Sequence, residues 1–156
     1  MKKILLTTDL SEESKVAFAA AKEYAQAFNA DIILLAIIED PAQAAMIYAL
    51  DFPVHPDSEI QMQMKQKVLQ DLENIKNVHL SGLSVTPIIL EANGPVHTEI
   101  INYAKNNSID LIIMATHGRT GLSRILIGSI TERVVREAPC QILTVPGEYK
   151  PANKKN

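Results

Sequence analysis

The sequence predicts an open α/β fold, a parallel sheet with helices packed on both faces. Three observations carry this. Short apolar runs alternate with amphipathic segments along the chain. The second run, Ile-Ile-Leu-Leu-Ala-Ile-Ile within Asp31 to Ile38, has almost no polar break, as expected of a strand covered on both faces. The length, 156 residues, is one domain's worth, and a domain near this size buries roughly 70% of its unfolded surface. A core without disulfides is therefore expected.

The elements follow in order. Lys3 to Thr8 is an apolar run ending in Thr-Thr-Asp, the pattern of a buried strand. Ser11 offers an N-cap, with Glu12 and Glu13 suited to the first helical turn. The helix is expected to reach Phe28, with Phe18, Ala21, Ala25 and Phe28 on its inner face, and Asn29 is its stop. Strand two is Asp31 to Ile38. Glu39 to Asp57 carries Pro41, Pro53 and Pro56, although Ala42 to Leu50 is apolar enough for a short helix; it reads as a connection covering a site or meeting a partner. Ser58 to Ile75 is helical, with Met64, Val68, Leu72 and Ile75 in register, and Met62 and Met64 are read as core.

Ser84 to Leu90 is the third strand. Gly94-Pro95 leads into a helix with Val96, Ile100, Ile101 and Ala104 inward. Asp110 to Ala115 is the fourth strand; a short helix ends at Glu137, and Gln141 to Val145 is the fifth strand. One domain, residues 1–146, is expected, with a polar, frayed tail over 147–156. Right-handed crossovers would set the strand ends Thr7-Thr8-Asp9, Glu39, Gly94 and Thr116 to Gly118 on one rim, provided that strands one and four are neighbours.

Bulk composition narrows the function. The hydrophobic fraction of 47% and charged fraction of 21% are ordinary for a soluble domain. A net charge of −3 argues against a generic nucleic-acid binder. No apolar run approaches the roughly 20 residues of a spanning helix. Met1-Lys2-Lys3 and the following apolar residues imitate a signal peptide, but Asp9 cuts the run early. Cys140 stands alone, which excludes an internal disulfide and a multi-cysteine metal site. The cytoplasm is the expected location, with neither membrane nor nucleic acid as partner.

Ala115 to Thr131 holds three of the six glycines, Gly118, Gly121 and Gly128, between a strand and a helix. Such a connection suits a phosphate: glycine lets N–H groups approach an anion, and a helix N-terminus adds unpaired donors. The same glycines would also serve an ordinary turn. Nothing glycine-rich follows Thr8, so this is not the common dinucleotide fingerprint, and no Gly-Lys-Ser/Thr marks a Walker loop.

The spacing Ala115-x2-Gly118-x9-Gly128-Ser129 is similar to the Gly-x2-Gly-x9-Gly-Ser/Thr motif of the ATP-binding branch of the universal stress proteins. The resemblance spans almost the whole chain. It includes the opening Lys-Ile-Leu-Leu-Thr-Thr-Asp-Leu-Ser-Glu, the run Asp110-Leu-Ile-Ile-Met-Ala-Thr-His-Gly-Arg-Thr-Gly and the closing Thr-Glu-Arg-Val-Val-Arg-Glu-Ala-Pro-Cys-Gln-Ile-Leu-Thr-Val. It implies a five-stranded parallel Rossmann-like sheet in the order 3-2-1-4-5 and an adenine nucleotide (ATP, or AMP or ADP) at the rim, with Mg2+ admitted beside it. Asp9 would hold the ribose or adenine edge, with Thr8 beside it, and Ile37 would meet adenine through its backbone. Met114 and Ala115 would line the floor. Gly118, Gly128, Ser129, Ile130 and Thr131 would surround the phosphates. A homodimer through the fifth strand, Gln141 to Val145, is also implied. Two positions depart from the pattern: Ala115 replaces the first glycine, adding a methyl at a point of close approach, and Thr7 stands where many members have proline.

Individual residues admit other roles. Ser129 and Glu132 form a Ser-x-x-Glu capping box, which either starts the helix or gives way to phosphate. Arg119 and Arg124 suit phosphate charge or plain solvent. Asp9 suits a helix cap as well as a nucleoside. His117 is read as positional, His55, His79 and His97 as surface, and Cys140 as core. No catalytic constellation is in view: fast phosphoryl transfer needs a positioned lysine, a metal-holding carboxylate and a water-orienting group. The expectation is a dimeric nucleotide sensor or switch with at most slow hydrolysis; the alternative is a dimeric stress protein that acts through protein contacts without nucleotide. A phosphorelay receiver is rejected, since Pro146-Gly147 stands where its lysine belongs. An adenylating ligase would need a Ser-Gly-Gly loop after the first strand, and none is present.

Overall fold

Our computed structural model describes residues 1–38, 58–118 and 127–147. The Glu39 to Asp57 connection with His55, the residues Arg119, Gly121 and Arg124, and the tail from residue 148 lie outside the described residues.

Five strands, β1 (Lys3–Thr7), β2 (Asp31–Ile38), β3 (Val85–Glu91), β4 (Leu111–Ala115) and β5 (Gln141–Val145), form one sheet. All pair in parallel, in the order β3-β2-β1-β4-β5. Among the described residues, four helices, α1 (Val16–Phe28), α2 (Ser58–His79), α3 (Val96–Asn106) and α4 (Ser129–Glu137), connect them. The expected fold class and strand order are observed.

Alternation along the central strands divides the core into two layers. In β2 the side chains of Ile32, Leu34, Ala36 and Ile38 join Phe18, Ala21 and Ala25 of α1 and Val68, Leu72 and Ile75 of α2. Leu35 points the other way, to Ile100 and Ala104 of α3 and Val134 of α4. That two-sided burial is why β2 reads as unbroken apolar sequence.

Several details differ from expectation. Ser11 does act as a cap, its Oγ accepting the Ser14 N–H at 3.2 Å, but the first turn is a 3₁₀ turn over Glu13–Lys15. Phe28 is 51% exposed rather than inward, because it ends α1, where its ring lies on Tyr24 at 6.1 Å between centroids. Met62 is 57% exposed while Met64 is buried; two residues along a helix turn a side chain to the opposite side. Helix α2 continues past Ile75 to His79, where Leu80 enters the core. His97 is only 8% exposed, on the inner face of α3 beside Ile100 and Ala104, which corrects its reading as a surface residue. His79 is exposed, with its ring packed on Phe18 at 5.5 Å.

Candidate functional site

The strand order reverses between β1 and β4, so the chain leaves these adjacent strands in opposite directions and a crevice opens beyond their C-terminal ends. Residues 8 to 11 follow β1 into this crevice, residues 116 to 118 follow β4, and the N-terminus of α4 closes it.

The turn after β1 is held by its own hydroxyls. Thr8 is buried, its N–H bound to the Leu35 carbonyl of β2 at 2.9 Å. Leu10 N–H donates to Thr8 Oγ1 at 3.0 Å, and Thr8 Oγ1 lies 2.8 Å from Ser14 Oγ. Leu10 takes a φ of 65°, a left-handed conformation unfavourable for leucine. The Asp9 carboxylate accepts the Ser11 N–H at 3.0 Å and the Ser11 hydroxyl at 2.5 Å, both on Oδ1.

Gly118 answers this carboxylate from β4. A Cβ at 118 would stand closer than 3.0 Å to Asp9 Oδ2, a separation that real Cβ atoms do not take. Glycine here lets the two segments approach with the Asp9 carboxylate in place. His117 Nδ1 lies 2.9 Å from Thr116 Oγ1 of its chain neighbour.

Gly128 caps α4 in an extended conformation, and its N–H donates to the Thr116 carbonyl at 2.7 Å. A Cβ there would lie 3.2 Å from the same oxygen. The Ser129–Glu132 capping box does not form: Ser129 is the first helical residue, no side chain caps the helix, and Glu132 accepts Arg136 at 2.8 Å. Ser129 and Ile130 are exposed beside first-turn N–H groups that have no carbonyl one turn back. Thr131 is buried, and its hydroxyl donates to the Ala115 carbonyl at 3.1 Å, tying α4 to the end of β4.

Met114 and Ala115 are both buried at the end of β4, on opposite faces of the sheet. The Ala115 methyl lies in the α1 and α2 layer, and the residue is 8% exposed. The methyl is absorbed by core packing rather than raised over the rim. Ile37 stands near the end of β2, paired with Leu90 of β3. The Leu35 carbonyl faces β1 and the Ile38 carbonyl faces β3, so by alternation the Ile37 N–H and C=O face the β1 side. There β1 has already ended at Thr7, and these groups border the crevice.

The structure therefore gathers Thr8, Asp9, Ile37, Gly118, Gly128, Ser129 and Ile130 around one crevice, with Met114, Ala115 and Thr131 buried beneath it. Two members escaped the sequence reading. Ser11 was read only as a helix cap and Ser14 had no assigned role, and only the folded turn shows that Ser11 holds Asp9. The spacing Asp9-x-Ser11-x-x-Ser14 was their only signal.

Comparison with known proteins agrees with this fold. The model of the universal stress protein family matches residues 1–146. The chain belongs to that family. Among universal stress proteins, it is 32% identical over 154 residues to MJ0577 of Methanocaldococcus jannaschii, covering 92% of this chain and 94% of that one. The solved structure of MJ0577 superposes with a TM-score of 0.75 at 30% identity, over 97% and 98% of the two chains. An Arabidopsis thaliana family protein solved with AMP bound matches with a TM-score of 0.58 at 18% identity, over 100% of this chain and 97% of its own. The Archaeoglobus fulgidus protein in complex with dAMP gives 0.62 at 13%, over 93% and 97%. These last two share the fold.

Proposed function

We propose that the crevice between β1 and β4 binds an adenine nucleotide, with ATP as the physiological form, and that the protein is a stress-response sensor or switch. One observation carries the reading: Gly118 is packed so closely against the Asp9 carboxylate that a Cβ there would force the carboxylate to move, at the mouth of a helix capped by Gly128. Glycine at both places leaves room for backbone to approach a phosphate chain, and the α4 N-terminus supplies donors and a positive dipole end. The adenylates held by the Arabidopsis and Archaeoglobus relatives favour the same class of ligand.

In this reading Ile37 offers adenine a backbone donor and acceptor, Asp9 with Thr8 beside it takes the nucleoside, and Met114 and Ala115 support the floor. Gly118, Ser129 and Ile130 border the phosphates. The Gly128 N–H and the Thr131 hydroxyl are already engaged and act by shaping the loop. Mg2+ would arrive with the phosphates, since among the described residues no group of three or more His, Cys, Asp or Glu side chains could hold a metal. The cytoplasm is the setting we assign, and a homodimer through β5 the assembly.

Calorimetric titration of nucleotide-free protein with ATP, ADP and AMP tests the site. ATP should bind to the native chain, and Gly118→Val should weaken it at least tenfold, or about 1.4 kcal/mol. Equal heats from both proteins would place the site elsewhere. Hydrolysis should be slow, because among the described residues Asp9 is the crevice carboxylate and is assigned to the nucleoside. A single-turnover rate of about one per second, at the low end of kinase turnover, would refute a sensor without catalytic machinery.

A further inference from the structure

The last two elements of the described fold, α4 and β5, are fastened to the sheet through the same residue. Thr116 donates its N–H to the Val145 carbonyl of β5 at 2.9 Å, and its own carbonyl accepts the Gly128 N–H at the α4 cap at 2.7 Å. One turn further, the Thr131 hydroxyl donates to the Ala115 carbonyl at 3.1 Å. At the far end only Ala138, Pro139 and Cys140 separate α4 from β5. The first turn of α4 and the C-terminal end of β5 are thereby tied into one unit. That unit is thinly buried. Of α4 only Thr131 and Val134 are buried, and of β5 only Val145, whereas all five residues of β4 are. A nine-residue helix does not hold itself in water, and within the described sheet β5 has β4 as its single neighbour. Few buried side chains and an open sheet edge mark a segment that undocks at low free energy.

We propose that α4 and β5 dock as one cooperative unit, through which a bound nucleotide and a second copy of the chain strengthen each other. The proposal rests on the adenine-nucleotide site and the β5 assembly stated above. Phosphates would meet the N–H groups in the first turn of α4. A second strand would meet the Ile142 and Thr144 N–H groups, which by alternation lie on the free side of β5. Both surfaces exist only while the unit is docked, because Thr116 positions the α4 cap and the β5 end together. Each ligand therefore favours the docked form over the open one. Whichever binds first leaves less to be ordered for the other, and the coupling is reciprocal. A docked form populated to about one third in the free monomer raises the apparent dissociation constant for nucleotide about threefold over the dimer's. Filling both sites of the dimer then lowers its own dissociation constant by the square of that factor, about ninefold.

The test combines sedimentation of the nucleotide-free full chain with ATP titration and amide exchange. For the native protein, saturating ATP should lower the dimer dissociation constant about ninefold. Thr144→Pro, which blocks the β5 edge, should bind ATP about threefold more weakly than the native dimer. Without nucleotide, the Leu143 and Val145 amides of that variant, which face β4, should exchange with little protection. ATP should slow them about threefold or more and leave Ile88 and Leu90, on the opposite edge strand β3, unchanged. Thr131→Val keeps the side-chain shape and removes the hydroxyl tie to Ala115, so it should cut the effect of ATP on the dimer to about threefold or less. The exchange measurement decides the matter should Thr131→Val fold poorly. A native dimer whose dissociation constant ignores ATP overturns the proposal, even with binding to Thr144→Pro weakened, and leaves the nucleotide site and the assembly in place. Equal exchange with and without ATP overturns it too. Native protein that binds no ATP removes the adenylate reading and the coupling together, and native protein that stays monomeric removes the assembly and the coupling.

Discussion

At the residue scale, backbone conformation separates what a side chain announces from what it conceals. Asn29 was legible as a helix stop, and it ends α1 in the left-handed region at φ 48°, ψ 52°. Asparagine tolerates that region and glycine favours it, whereas a Cβ without a local hydrogen-bonding group does not. Asn29→Ala should therefore destabilise the protein by about 1 kcal/mol, and Asn29→Gly should match or exceed the native midpoint in urea. Leu10 concealed its conformation. Nothing in leucine suggests a φ of 65°, which the structure sustains by packing the side chain on the core and binding the Leu10 N–H to Thr8. Cys140, read as core, is instead half-buried at the margin of the α3 and α4 layer, and burial pushes its thiol up from the ordinary range.

At the element scale, the end of the sheet opposite the crevice is closed by one carboxylate. Asp110, just before β4, accepts the N–H groups of Lys2 at 2.6 Å and Lys3 at 3.0 Å and so holds the start of β1. The Lys2 N–H, then the Lys3 N–H, keep its carboxyl below the ordinary value of 3.8. A group whose folded pKa is depressed stabilises the fold above its unfolded value, and that contribution disappears as pH falls through the folded value. Native protein should therefore have a higher urea midpoint than Asp110→Asn at pH 7, and the gap should close on the acid limb below the ordinary carboxylate range. A gap constant with pH would show that the charge plays no part. The helices show a different limit: α2 was recognised by Met64, Val68, Leu72 and Ile75, yet its last turn, which carries no inward apolar residue before Leu80, lay beyond the pattern.

At the scale of the whole molecule, β3 and β5 are the two edges of the sheet. Edge β3 contains Pro87, a residue that discourages further pairing. Edge β5, Gln-Ile-Leu-Thr-Val, carries no such guard. The Val145 carbonyl accepts Thr116 of β4, so by alternation Ile142 and Thr144 turn their N–H groups outward. If β5 pairs with a second copy, sedimentation equilibrium should give twice the 17.2 kDa chain mass. Thr144→Pro should shift it to monomer with β4 pairing intact, because the lost N–H faces away from β4. A native chain that stays monomeric at high concentration would refute this assembly.

The sequence by itself determined the class of fold, the number and order of strands along the chain, and the presence of a glycine-rich strand-to-helix connection, because periodicity and backbone freedom are local properties. Which strands lie side by side came only through the family likeness, and the tertiary structure then decided the distances. Gly118 and Asp9 are 109 positions apart, and their need for contact appears only when β1 and β4 are neighbours. The same holds for Ala115, whose methyl seemed set at a point of close approach until strand alternation turned it into the core. Close approach is a property of two chain segments at once, and no single stretch of sequence contains it.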